Sequence, residues 1–131
     1  MTIELTMLAY AVALLIALVF VQAAVGVRAK GAMPMAGHRD DVGPATGFHA
    51  RMLRVVDNHR EGITMFAPLV LILNAIDYST KWTVLACAVY FWSRVAHMIV
   101  YALGIPVFRT LAFTVGFLAQ AVLALAIFGV V

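Results

Sequence analysis

Residues Ile3 to Val27 form one apolar run interrupted only by Glu4, Thr6 and Gln22, and two further runs of comparable length follow at residues 82–103 and 107–131. A backbone surrounded by lipid must satisfy its own hydrogen bonds, and a helix of about 20 apolar residues does so while crossing a hydrocarbon core roughly 30 Å thick. Runs of this kind exclude most soluble architectures. The composition agrees: 65% of the 131 residues are hydrophobic and 11% are charged, against about 45–50% apolar residues in a typical soluble domain. Too few polar side chains exist to cover a soluble surface. The expected fold class is an all-α membrane protein, a four-transmembrane-helix antiparallel bundle forming a single domain over residues 1–131.

The helices are expected at about 3–27, 49–76, 82–103 and 107–131. The second begins with a strongly polar third and becomes nearly all apolar only from Ile63 to Ile76, so hydropathy alone starts it too late. Residues 28–48 form a polar connection rich in Gly and Pro in which no regular element is required. Asp77 to Lys81 reads as a tight turn. Gly104-Ile105-Pro106 is a second, with Pro suited to a turn or a first helical position. Pro68 cannot donate to the carbonyl of Thr64, which predicts a kink or loosened packing in the second helix. Short turns make the last three helices antiparallel neighbours.

The N-terminus lacks the basic segment of a signal peptide, and its apolar run is too long for a cleaved one, so it is expected to remain as the first span. Arg28, Lys30, Arg39, Arg51 and Arg54 lie in or beside the first connection and Arg109 flanks the third. The positive-inside rule puts these connections in the cytoplasm and both termini, with the Asp77 turn, on the opposite side. The Ala- and Val-rich helices point to a bacterial inner membrane, with the endoplasmic reticulum as the alternative. The net charge of +3 comes from scattered residues without a basic stripe, so nucleic acid is not an expected partner. The single cysteine, Cys87, sits in an apolar run and reads as a small packing residue. Gln120 and Asn74 read as hydrogen bonders between helices.

Charge placement is the main functional signal. On the second helix Arg51, Arg54, Asn58 and Glu61 recur at intervals of three, four and three, which puts them on one stripe. On the third helix Arg94, His97 and Tyr101 do the same. An ionisable residue at the centre of a membrane helix costs about 2.5–3.5 kcal/mol on insertion scales, so these residues require a shared interior or a wet cavity. The antiparallel register sets Glu61 and Arg94 at similar depth and predicts an ion pair between them. A purely structural ion-pair network is the simpler reading. Against it, Arg51, Arg54, Arg94 and Arg109 outnumber Glu61 and the edge residue Asp57, an excess that an anionic ligand would neutralise. Asp57, His59 and Arg60 fall off the stripe and are expected at an interface or beside the long connection. The histidines lack metal-ligand spacing, so no metal site is expected, and His97 reads as a hydrogen-bonding wall of the cavity.

The pattern Arg-x3-Asn-x2-Glu at Arg54, Asn58 and Glu61, followed by Pro68, combines with Arg-x2-His-x3-Tyr at Arg94, His97 and Tyr101 and with Arg109 at the start of the last helix. Together these motifs resemble the MAPEG family, the membrane-associated proteins in eicosanoid and glutathione metabolism, which include microsomal glutathione transferases. The similarity spans essentially the whole chain. It implies a homotrimer with glutathione held in a cytoplasm-facing cavity between neighbouring subunits, and a lipophilic second substrate arriving from the bilayer. The matching positions imply a glutathione-binding set of Arg28, Arg54, Asn58, Glu61, Arg94, His97 and Tyr101, with Arg51 as a secondary member. Arg109, with Thr110 beside it, is the candidate for stabilising the thiolate. The segment from Tyr101 to Arg109 is shorter than in the prostaglandin synthase branch, and Pro106 falls differently in it. The family also holds a lipid-binding accessory protein, so a non-catalytic binder is a second expectation. A small transporter or assembly subunit is a third, which no inverted repeat or broken-helix pair supports.

Overall fold

The computed structural model describes all residues from Met1 to Val131. Its regular elements are all helices: α1 (Ile3–Lys30), α2 (Ala32–Ala36), α3 (Gly47–Ala75), α4 (Lys81–Ala102) and α5 (Pro106–Ile127). Three of them, α1, α4 and α5, are long and apolar enough to cross a membrane. The fourth long helix, α3, carries Arg51, Arg54, Asp57, Arg60 and Glu61 in its first half.

Local chemistry explains where the helices stop. The Thr2 hydroxyl accepts from Leu5 N at 3.2 Å and caps α1, and Thr80 and Thr83 form a reciprocal capping box at the start of α4. After α3, Asp77 adopts the left-handed conformation (φ 54°), with Tyr78 N donating to Leu73 O and Asp77 N to Asn74 O. The same closing pattern recurs at Gly104 (φ 77°) after α4. These bonds satisfy carbonyls that a helix end otherwise leaves unpaired. A third such turn at Gly129 (φ 73°) ends α5 at Ile127, so the last helix does not run to Val131 as expected. The connection after α1 also differs from expectation. The first helix extends to Lys30, and the short α2 follows it. The longer helix keeps Arg28 and Lys30 in its final turn, where positive charge complements the helix dipole. Across Pro68, α3 remains one continuous helix.

Contacts at the two ends fix an up-and-down arrangement. At one end Glu4 of α1 meets Ser79 and Thr83 at the start of α4, and the Tyr78 hydroxyl donates to the carbonyl of Val131. At the other, Arg51 of α3 donates to the carbonyl of Ala102 on α4, and His49 of α3 lies against Gly26 of α1. Both termini and the Asp77 turn therefore share one end, as expected from the sequence.

Two apolar clusters fill the bundle. The larger joins Leu8 and Ala11 of α1, Phe66, Val70 and Leu73 of α3, Cys87 and Tyr90 of α4, and Ala119 and Leu123 of α5. The smaller, toward the opposite end, joins Leu18 to Met52, Val55 and Val56. Many buried positions are Ala, Gly or Cys, whereas Ile16, Phe20, Trp92, Phe113 and Phe117 point outward. Small residues inside and large apolar residues outside are the arrangement a lipid solvent selects, because packing rather than water exclusion holds the helices together. Cys87 is fully buried and unpaired, a packing residue as expected.

Between the apolar clusters lies a polar layer drawn from every long helix. His59 Nε2 donates to the carbonyl of Ala11 at 3.0 Å, tying α3 to α1. Gln120 Nε2 donates to the carbonyl of Gly62 at 2.8 Å, tying α5 to α3. The expectation for His59 is thus corrected: it is buried inside the chain, because Val55, Val56, His59 and Gly62 make up the inward face of α3. Gln120 bonds between helices as expected, while Asn74 is exposed at the end of α3.

Candidate functional site

The inward face of α3 places its polar stripe at the rim of the bundle. Arg54 and Glu61 are exposed, Asn58 and Arg51 half-buried, and all four flank the groove that α3 makes with α4 and α5. Arg94, by contrast, points in from α4 and is only 3% exposed.

A cavity of about 460 Å³ opens at the end of this groove between the start of α3 and the turn after α4. Its ten lining residues include Arg51, Arg54, Tyr101 and Arg109 and no carboxylate. Arg51 is steadied by its bond from Nε to Ala102 O (3.2 Å) and by the Phe48 ring, 5.9 Å from its guanidinium carbon. The Arg109 guanidinium lies over the Tyr101 ring at 4.9 Å, within the range of a cation–π contact. Three guanidinium groups around one opening, with no acidic residue in its wall, create a positive potential that favours an anion carrying carboxylates, since arginine forks onto carboxylate oxygens.

A second cavity of about 210 Å³ shares Tyr101 and Arg109 with the first and adds Asn58, His97, Thr110 and Phe113. Phe113 adds an apolar ring to this largely polar lining. Asn58 also borders a narrow, partly open void of about 10 Å³, lined by the buried Gly62, Tyr90, Arg94 and Gln120 and by the exposed Glu61, Met65, Phe113 and Phe117. The shared residues make the three spaces neighbours along the groove, from the arginine-rich opening to Arg94.

The direct pair expected between Glu61 and Arg94 does not form. Arg94 Nη2 donates instead to Asn58 Oδ1 and contacts His97 Nδ1 at 3.3 Å. The Arg60–Asp57 pair, one turn along α3 at 3.2 Å, is the ion pair within 4.0 Å that the chain makes. The reason is rotational: Gly62 and His59 occupy the inward face, which turns Glu61 outward while Arg94 reaches in beneath it. Both therefore border the same void without touching.

Eight of the nine residues singled out in the sequence, Arg51, Arg54, Asn58, Glu61, Arg94, His97, Tyr101 and Arg109, line these three spaces. Arg28 does not; it is exposed on the last turn of α1. Two features escaped the sequence reading. Tyr90 stacks on Phe66 with ring centroids 3.9 Å apart and directs its hydroxyl at Gly62, and Gly62 and Gly116 form notches that receive Tyr90 and Ser93. The spacing held a clue. Tyr90 precedes Arg94 by four residues and so extends the same stripe, and a glycine inside a helix, which costs about 1 kcal/mol relative to alanine, marks a close approach.

The sequence matches the model of the MAPEG family over residues 7–129. Comparison with curated proteins gives no match. With a family match over nearly its whole length and three apolar helices able to cross a bilayer, the chain belongs to the MAPEG family as an integral membrane protein.

Proposed function

We propose that this protein is a glutathione-dependent membrane transferase with peroxidase capacity, which activates the glutathione thiol for attack on a lipophilic electrophile. The observation that carries the reading is the 460 Å³ cavity with three arginines and no carboxylate in its wall. Glutathione has two carboxylates, one ammonium and one thiol at neutral pH, and the cavity falls within the roughly 300–1,000 Å³ of small-molecule sites. Arg51 and Arg54 suit the carboxylates, Glu61 the ammonium, and Asn58, Arg94, His97 and Tyr101 the deeper polar contacts.

Glutathione supplies the nucleophilic sulfur. A free thiol has a pKa near about 8.5, so a cation that lowers it increases the thiolate fraction at neutral pH, each unit being worth about 1.4 kcal/mol. In this reading Arg109 supplies that cation, supported by its position on the border of both larger cavities and against the Tyr101 ring. Phe113 and the outward apolar faces of α5 offer the lipophilic partner an approach from the bilayer.

The same reading includes a homotrimer in which α3 is a fourth membrane-crossing helix. Asp57, Arg60 and Glu61 are exposed charged side chains on α3, and ionisable groups that face lipid are costly. A neighbouring copy would cover them, and would also let Arg28, which is remote from these cavities within one chain, complete the site of the next. The termini then lie on the non-cytoplasmic side of an inner membrane.

The test is direct. Purified protein in detergent binds glutathione, and Glu61→Gln and Arg94→Ala each abolish that binding; unchanged affinity in both variants refutes the assignment. Turnover with chlorodinitrobenzene then separates an enzyme from a protein that binds without catalysis.

A further inference from the structure

The smallest of these voids is bordered by two residues with polar atoms that the fold leaves without a partner. Tyr90 is 1% exposed and Arg94 3%, and neither Tyr90 Oη nor Arg94 Nε has a hydrogen bond to any protein atom. Leaving a buried donor unpaired costs about 1–3 kcal/mol, more for a charged group. Both residues border the same space of about 10 Å³, close to the minimum that holds one water molecule, and such a site stays wet only when several polar partners converge on it. Here they do. Arg94 Nε–H and Tyr90 O–H are donors, and Gln120 and Glu61, which also border this space, carry acceptor oxygens.

We propose that one water molecule occupies this void and joins Arg94 to Tyr90 and Glu61, which makes Tyr90 a positioning residue for the glutathione site. The water accepts from Arg94 Nε–H and Tyr90 O–H and donates toward Gln120 and Glu61, so all four of its hydrogen-bonding positions are used. This explains how two opposite charges border one space without a direct ion pair. A bridging water is enthalpically close to a direct bond. It also gives the Arg94 guanidinium a fixed rotation, with Nη2 toward Asn58 and His97 and Nε toward Tyr90. The rigid support of Tyr90 comes from its stack on Phe66 and from the Gly62 notch.

The role assigned to Tyr90 rests on the glutathione reading; the water does not. The experiment uses the full chain in detergent or nanodiscs, in two parts. High-resolution density of the wild type is expected to show a peak within hydrogen-bonding distance of Tyr90 Oη and Arg94 Nε, lost in Tyr90→Phe, which keeps the ring and its stack. A wild-type void without that peak overturns the proposal. In the second part, Tyr90→Phe raises the glutathione Kd about three- to tenfold. In an Arg94→Lys background, which has no Nε–H at that position, the same change alters Kd by less than about twofold. Equal effects in both backgrounds show that Tyr90 acts independently of Arg94 and refute the positioning role. If the wild type binds no glutathione, the functional reading fails while the density still decides the water.

Discussion

Replacing Gly62 by alanine tests the packing that supports the site more sharply than any substitution of a charged residue. A Cβ at this position would lie 2.7 Å from Tyr90 Oη, about 0.7 Å inside the 3.4 Å at which ordinary Cβ contacts begin. Tyr90 has little room to retreat, because Phe66 stacks behind it at 3.9 Å and the residue is 1% exposed. Overpacking of this kind costs about 1–3 kcal/mol, partly offset by the roughly 1 kcal/mol that alanine gains over glycine within a helix. In a Tyr90→Phe background the offending oxygen is absent, and the nearest remaining atoms, Cζ and Cε2, lie at 3.7 and 3.8 Å. Alanine then fits. The four proteins of this cycle, unfolded thermally in the same detergent, should therefore show a coupling of about 1–3 kcal/mol, with Gly62→Ala destabilising in the wild type and neutral or stabilising in Tyr90→Phe. An equal loss in both backgrounds would refute the geometry and, with it, the claim that Gly62 exists to admit the tyrosine.

Three other outcomes follow from the same structure. Glu4 is 4% exposed and accepts from the Ser79 and Thr83 hydroxyls at 2.7 Å each, so Glu4→Leu lowers stability by about 1–2 kcal/mol while Glu4→Gln, which retains an acceptor, loses less; the loss stays modest because Thr83 can turn to the Thr80 carbonyl at 2.9 Å. The fully buried Cys87 should resist a membrane-permeant maleimide in folded protein and react rapidly after denaturation; fast labelling of the folded state contradicts the core assignment. Arg109→Ala should reduce conjugation at saturating glutathione by about a hundredfold, the scale for losing one anion-stabilising group, with a smaller effect on glutathione affinity; an unchanged rate would move thiolate stabilisation to another residue.

Much of this protein was legible in its sequence because lipid is an undemanding reader of pattern. A helix in hydrocarbon must satisfy its backbone internally, so the apolar runs located α1, α4 and α5, the polar stripe was needed to find the first half of α3, and Thr80, the Asp77 turn and Gly104 marked where α4 begins and where α3 and α4 end. The intervals of three and four likewise assigned Arg51, Arg54, Asn58 and Glu61 to one stripe and Arg94, His97 and Tyr101 to another. Rotation about the helix axis was a different matter. Periodicity says which side chains share a face but not which face turns inward, and that depends on whether small residues on one helix can receive large ones from the next. Gly62 receiving Tyr90, and Gly116 receiving Ser93, rotate α3, α4 and α5 so that Arg94 is buried while Glu61 is not. Equal depth along antiparallel helices therefore did not become contact, and Asn58, rather than Glu61, took the guanidinium.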